Sequence, residues 1–158
     1  MPSVCRQWGQ GVTIFAFGSA ASFGQALLQA AAGSFDVIVL DAFSSDAIPA
    51  HLLTKEAVQL YVAHLRNDEG IIAVHISNKV LDLAPVVQGL VEELHLSAAR
   101  IEVDSRDDGT LASDWVLLSP SETALASTSI DDASSELSSD RHVRLWTDDY
   151  HSLFAILR

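Results

Sequence analysis

The chain has 158 residues, the size of one ordinary domain, with 49% hydrophobic and 19% charged residues. At this length a globular fold removes roughly 70% of the unfolded surface from water, and the composition excludes a wholly disordered chain, collagen and a coiled coil. Nine Lys and Arg stand against 21 Asp and Glu, a formal charge of -12, which argues against nucleic-acid binding and permits a cationic partner. The single cysteine, Cys5, excludes an intrachain disulfide framework and any Cys-based zinc site, and points to a reducing compartment.

No charge occurs between Arg6 and Asp36, but five glycines and several Gln and Ser interrupt that stretch. A spanning helix wants about 20 mostly apolar residues, so the expectation is a strand and a small-residue helix, not a membrane span. Val12 to Phe17 reads as the strand and Ala20 to Ala32 as the helix, with Gly33 as its stop. Asp36 to Asp41 is an apolar strand framed by carboxylates, and its continuous run suggests a parallel strand buried on both faces. Residues 42–50 form a loop.

Leu53 to Leu65 reads as an amphipathic helix capped by Thr54, with Leu53, Ala57, Leu60, Tyr61 and Leu65 on one face. Residues 67–70 make a turn into a second apolar strand, Ile71 to Ile76. Asp82 is placed to cap a helix through about Leu94, with Pro85 in its first turn. Strands follow at Arg100 to Asp104 and Trp115 to Leu118. Only a turn separates them, so they are expected to pair antiparallel at a sheet edge. Residues 119–141 are rich in Ser and Asp and read as a loop with room for one short helix. Between Glu102 and Asp140 there are ten acids and one base, Arg106, which reads as a solvated acidic surface. Thr147 or Asp148 is expected to cap a final helix that docks on the body, and Trp115 and Trp146 to anchor the core. The alternation of strands and helices predicts an α/β domain with a mainly parallel sheet and an antiparallel edge hairpin.

Ligands of open parallel sheets bind at the carboxyl ends of the strands. One strand ends there in Asp41, with Ser44, Ser45 and Asp46 following, and another in His75, Ser77 and Asn78. Two carboxylates five positions apart suit a cationic amine, which a carboxylate can bind or deprotonate. The same residues also serve as plain caps, Asp41 at the sheet end and Asp46 at the next helix. The six histidines show no paired spacing on one helix face, so no metal is expected. Ser44 and Ser45 lack the flanking glycines of a nucleophile elbow.

The strings DVIVLDAFSSDAIPAHLLTKEAVQLY and GIIAVHISN, with the final LWTDDYHSLFAIL, resemble the spermidine synthase-like family, in the bacterial branch often fused to a transporter-like membrane region. The likeness covers roughly residues 35–118 and 145–158. It implies a Rossmann-like S-adenosylmethionine-dependent methyltransferase fold. It also implies aminopropyl transfer from decarboxylated S-adenosylmethionine to a polyamine such as putrescine. On that likeness Asp41 matches the strand-end aspartate that binds and deprotonates the attacking amine. Asp46 resembles the second acid of the family's Asp-Ser-Ser-Asp motif, although that motif's acids are three positions apart and those of this chain five. Ser45, His75 and Asn78 fall at the same acceptor edge, where His75 also reads as a packed, hydrogen-bonded strand residue; Asp149 and Tyr150 have two readings, closure over that edge or a capping aspartate and a packed tyrosine. The resemblance also implies a cytoplasmic location, free or as part of a membrane-fused protein.

The departures concern the nucleotide. The family begins that site with a glycine-rich loop after the first strand, and an acid after the second strand holds the ribose. The Gly9 and Gly11 pair has no strand expected before it, and Gly18 is isolated. Where the family commonly has Gly-Asp-Ala-Arg at the adenine, this chain has Gly18-Ser19-Ala20-Ala21. Ser19, Asp41 and Ala42 are thus the positions left for the co-substrate. These departures predict an N-terminally truncated version of the fold, a single domain over residues 1–158 with a divergent start at residues 1–25. They also predict an exposed flank on the third or fourth strand of the family's sheet, which permits a homodimer. Two other readings stay open: a methyltransferase using S-adenosylmethionine itself, and a non-catalytic, degenerate or polyamine-sensing domain.

Overall fold

The computed structural model describes residues 4–8, 12–17, 30–41, 49–105 and 112–158. Its centre is one six-stranded sheet built from β1 (Val4–Trp8), β2 (Val12–Phe17), β3 (Val37–Leu40), β4 (Ile71–His75), β5 (Ser97–Val103) and β6 (Ser113–Ser119), in the order β1-β2-β3-β4-β6-β5. The chain is a mixed α/β protein. β2, β3 and β4 run parallel, with Leu40 beside Val74 in the register. β6 lies antiparallel between β4 and β5, so the expected edge hairpin of the last two strands is present.

The sheet is mixed, not mainly parallel. Two of its five pairings are parallel and three antiparallel, because β1 also pairs antiparallel with β2. The sequence reading placed no strand before Gly9. In the structure β1 precedes it and pairs through Trp8 and Val12. β1 also covers the flank of β2 that faces away from β3. β1 lacks the apolar run that marks β3 and β4, so only its partner identifies it.

β3 and β4 are strands for the reason the sequence suggests. They are short runs of β-branched and leucine residues, and Ile38, Leu40, Ile72 and Val74 are completely buried. The turn before β3 closes on Gly33, the predicted helix stop, at φ +71°, a left-handed conformation that glycine adopts without steric cost. Most of the helix predicted ahead of it lies outside the described residues.

Helix α1 (Lys55–His64) follows a 3-10 turn at Ala50–Leu53. Its predicted cap is present: the Thr54 hydroxyl oxygen accepts from the Ala57 N–H at 3.3 Å. Its inward face differs from the expected one. Val58, Tyr61 and His64 are buried, while Leu60 is 38% exposed. Positions 54, 58, 61 and 65 share a stripe at spacings of four, three and four, and Leu60 falls off it. Tyr61 donates to the Leu52 carbonyl at 2.9 Å, which satisfies the one polar atom this ring carries inward.

Helix α2 (Ala84–Leu94) has Pro85 in its first turn, and the Asp82 carboxylate accepts from the Ala84 N–H at 3.3 Å. It ends on His95, whose φ of 53° is the only left-handed value among the described non-glycine residues. Lys55 on α1 and Glu93 on α2 join the two helices in a salt bridge.

Beyond β6, residues 119–141 hold two one-turn helices, α3 (Glu122–Leu125) and α4 (Thr128–Asp131), where one was expected. The same segment then returns to the sheet, and Ser135 exchanges two backbone hydrogen bonds with Arg100 on β5. The final helix is not formed. Residues 147–150 make a tight turn, and the last apolar residues form a single 3-10 turn at Phe154–Ile156. Asp148 does not cap a helix of its own; its carboxylate accepts from the Thr54 hydroxyl at 2.7 Å. Trp146 is the core anchor the sequence suggested, at 1% exposure, and its carbonyl accepts from the Lys55 N–H. Trp115 is only half-buried.

Candidate functional site

The carboxyl ends of β3, β4 and β5 and the start of β6 lie along one edge of the sheet, because β5 and β6 pair antiparallel and β4 and β6 do too. An open cleft of about 1080 Å³ follows this edge. Its floor is His75, Ser77 and Asn78 from the end of β4, Glu102 to Asp104 from the end of β5, and Ser113 and Asp114 from the start of β6. Its far wall is apolar: Val80 and Leu81 with Leu153, Phe154 and Leu157 of the C-terminal segment.

Asp41 follows β3 directly and His75 is the last residue of β4. Since Leu40 and Val74 are register partners, the next positions bring the two side chains together. His75 Nδ1 and Asp41 Oδ1 are 2.6 Å apart. A carboxylate oxygen accepts, so Nδ1 carries the hydrogen. The imidazole is fixed from its other side by Trp115, its register partner on β6. The rings stack at 4.5 Å between centroids and 10° between planes. The His75 side chain is 14% exposed and that of Asp41 49%. The pair is thus a sheltered ring holding an accessible carboxylate. His75 Nε2 is buried with no hydrogen-bond partner among the described residues.

The rest of the cleft floor is held by the backbone. Ser77 Oγ accepts from the Asp114 N–H at 2.7 Å, and the Ile76 N–H donates to the Asp114 carbonyl at 2.8 Å. The Asp114 carboxylate is held by the Arg100 fork, Nε at 3.0 Å and Nη2 at 2.6 Å, with Glu102 on the same guanidinium. Asn78 turns its side-chain oxygen back to the N–H groups of Val80 and Leu81, at 2.9 and 2.8 Å, and so shapes the turn that leaves β4.

The apolar wall is tied down at several points. The Arg158 N–H donates to the Val80 carbonyl and the Asp82 N–H to the Ile156 carbonyl, which lays the end of the chain against residues 80–82. Arg141 donates to the carbonyls of Leu157 and Ala155 at 2.9 and 2.8 Å. Phe154 stands 87% exposed at this wall.

Asp41, His75 and Asn78 of the expected site therefore gather at one edge, His75 as the partner of Asp41. Asp149 and Tyr150 do not line the cleft. Asp149 is exposed, and Tyr150 lies under the Arg144 guanidinium, 4.0 Å from its ring centre. Ser19, Ala42, Ser45 and Asp46 lie outside the described residues. Leu153, Phe154 and Leu157 line the cleft wall in place of the expected docked helix, and only their apolar character points to that place. Trp115 was read as core, and its stack on His75 follows from the antiparallel β4–β6 register alone.

Among the described residues no group of three or more His, Cys, Asp or Glu gathers as a metal cluster. No described helix is long and apolar enough to cross a membrane. The chain matches no family model and no curated protein.

Proposed function

We propose that this chain carries the amine-accepting part of a spermidine synthase-like domain on a Rossmann-like methyltransferase fold. The observation that carries the reading is Asp41, a half-exposed carboxylate held at the carboxyl edge where open α/β sheets receive their ligands. The run of parallel strands ending in an antiparallel edge hairpin supports the fold reading.

In this role Asp41 binds a primary amine of putrescine through its open oxygen and takes its proton. The freed nitrogen lone pair attacks the carbon beside the sulfonium of decarboxylated S-adenosylmethionine. The new C–N bond forms as the C–S bond breaks, and the sulfur leaves as a neutral thioether. Alignment of the two reactants supplies much of the rate. Ser19 and Ala42 remain the proposed contacts to the co-substrate beside Asp41.

A second reading has its own support. Gly9 and Gly11 stand between two antiparallel strands, β1 and β2. A phosphate or nucleotide cradle of the Rossmann type needs its glycines between a strand and a helix. A polyamine-binding domain without transfer activity fits that arrangement.

The test is incubation with decarboxylated S-adenosylmethionine and putrescine, with spermidine followed by mass spectrometry. Spermidine formed by the wild-type chain and abolished by Asp41→Asn is the expected result. Putrescine binding without spermidine would establish the second reading. Formation of methylated product from S-adenosylmethionine would replace both.

A further inference from the structure

We propose that His75 is the positioning residue of the amine site: clamped on Trp115, it holds Asp41 by one carboxylate oxygen and leaves the other oxygen to the amine. The inference rests on the reading of Asp41 as the amine acceptor and adds a role for a residue outside that chemistry.

A strand-end aspartate has three rotatable directions to choose from, and a half-exposed one samples them in water. His75 removes that freedom. Its ring has little freedom of its own, because Trp115 covers one face at 4.5 Å and only 14% of the side chain is exposed. The direction of the hydrogen bond is fixed as well. Nδ1 faces Asp41 at 2.6 Å, while Nε2 is buried with no partner among the described residues. Placing the hydrogen on Nε2 would bury an N–H with no acceptor among the described residues and would set two acceptors against each other across 2.6 Å. The tautomer with hydrogen on Nδ1 avoids both costs. His75 therefore acts as a fixed donor to one oxygen of Asp41, and the bond leaves the other oxygen to a ligand.

Two substitutions separate the donor from the ring. In His75→Asn the amide nitrogen is bonded to Cγ as Nδ1 is, so the donor to Asp41 is kept and the stack is lost. In His75→Phe the stack is kept and the donor is lost. Calorimetric titration with putrescine should find His75→Asn close to wild type and His75→Phe weaker by about tenfold, the order of one charge-assisted hydrogen bond. The ¹⁵N spectrum of the His75 ring should show the hydrogen on Nδ1, with a signal that moves in Asp41→Asn. Wild-type affinity in a folded His75→Phe, or hydrogen on Nε2, would overturn the proposal. If putrescine does not bind the wild-type chain at all, the amine reading fails, and the ring spectrum alone decides whether His75 fixes Asp41.

Discussion

Thr54 and Asp148, 94 positions apart in the sequence, share a 2.7 Å hydrogen bond that fastens the C-terminal turn to the start of helix α1. The same threonine caps the helix through Ala57, and the Asp148 N–H donates to Glu56 at 3.0 Å. One completely buried hydroxyl thus joins a local helix signal to a long-range contact.

Thr54→Ala should destabilise the chain by about 1–2 kcal/mol, as a lost cap combined with a lost tertiary hydrogen bond. Thr54→Ser keeps the oxygen and should cost less. Urea unfolding measures both. A Thr54→Ala midpoint equal to that of wild type would show that the turn is held by Trp146 and its neighbours without this bond.

Tyr61 supplies a pH dependence with a definite sign. Burial, with Asp148 adding a smaller contribution, pushes its phenol well above the ordinary value near 10. In the unfolded chain the phenol loses its proton as pH rises through about 10. The folded chain keeps that proton, so above that pH the unfolded state binds fewer protons and stability falls. Below it the stabilisation is fully present. Melting temperature should therefore drop between about pH 9.5 and 11, and Tyr61→Phe should flatten that part of the profile. The same substitution leaves the buried Leu52 carbonyl unpaired and should cost about 1–2 kcal/mol at neutral pH.

Gly70, buried at the entrance to β4, is required by space. A Cβ there would meet Leu65 Cβ at 2.8 Å and Leu65 Cδ2 at 2.9 Å. Leu65 is itself packed in the core and has little room to yield. Gly70→Ala should cost about 1–3 kcal/mol, the usual range for overpacking. Leu65→Ala removes Cγ and Cδ2 but keeps the Cβ that the added methyl meets at 2.8 Å, so it should not rescue Gly70→Ala, and a double mutant as destabilised as the sum of the two singles is the expected result.

What the sequence made legible was what local chemistry decides. The apolar runs of β3 and β4, the Thr54 cap and the Gly33 stop each follow from a few adjacent residues. Asp41 and His75 were placed at one sheet edge because both end such runs, and parallel adjacency of β3 and β4 then brings them into contact. The features that escaped depend on distant partners. β1 is a strand because β2 offers it an edge. The C-terminal helix fails because Asp148 is bound to Thr54, and the backbone of residues 155–158 is held by Arg141 and by residues 80–82. The packing of Tyr150 under Arg144 likewise depends on the turn at residues 147–150, which its backbone bonds with Thr147 close.

Whether Asp41 is the group that receives a cationic amine is decided by titrating putrescine into the wild-type chain and into Asp41→Asn. Saturable binding to wild type is expected, with a stabilisation of about 2.7 kcal/mol at a hundred times the dissociation constant, and loss of both in a folded Asp41→Asn. Equal binding by the two proteins, or no binding by the wild type, would contradict that role for Asp41.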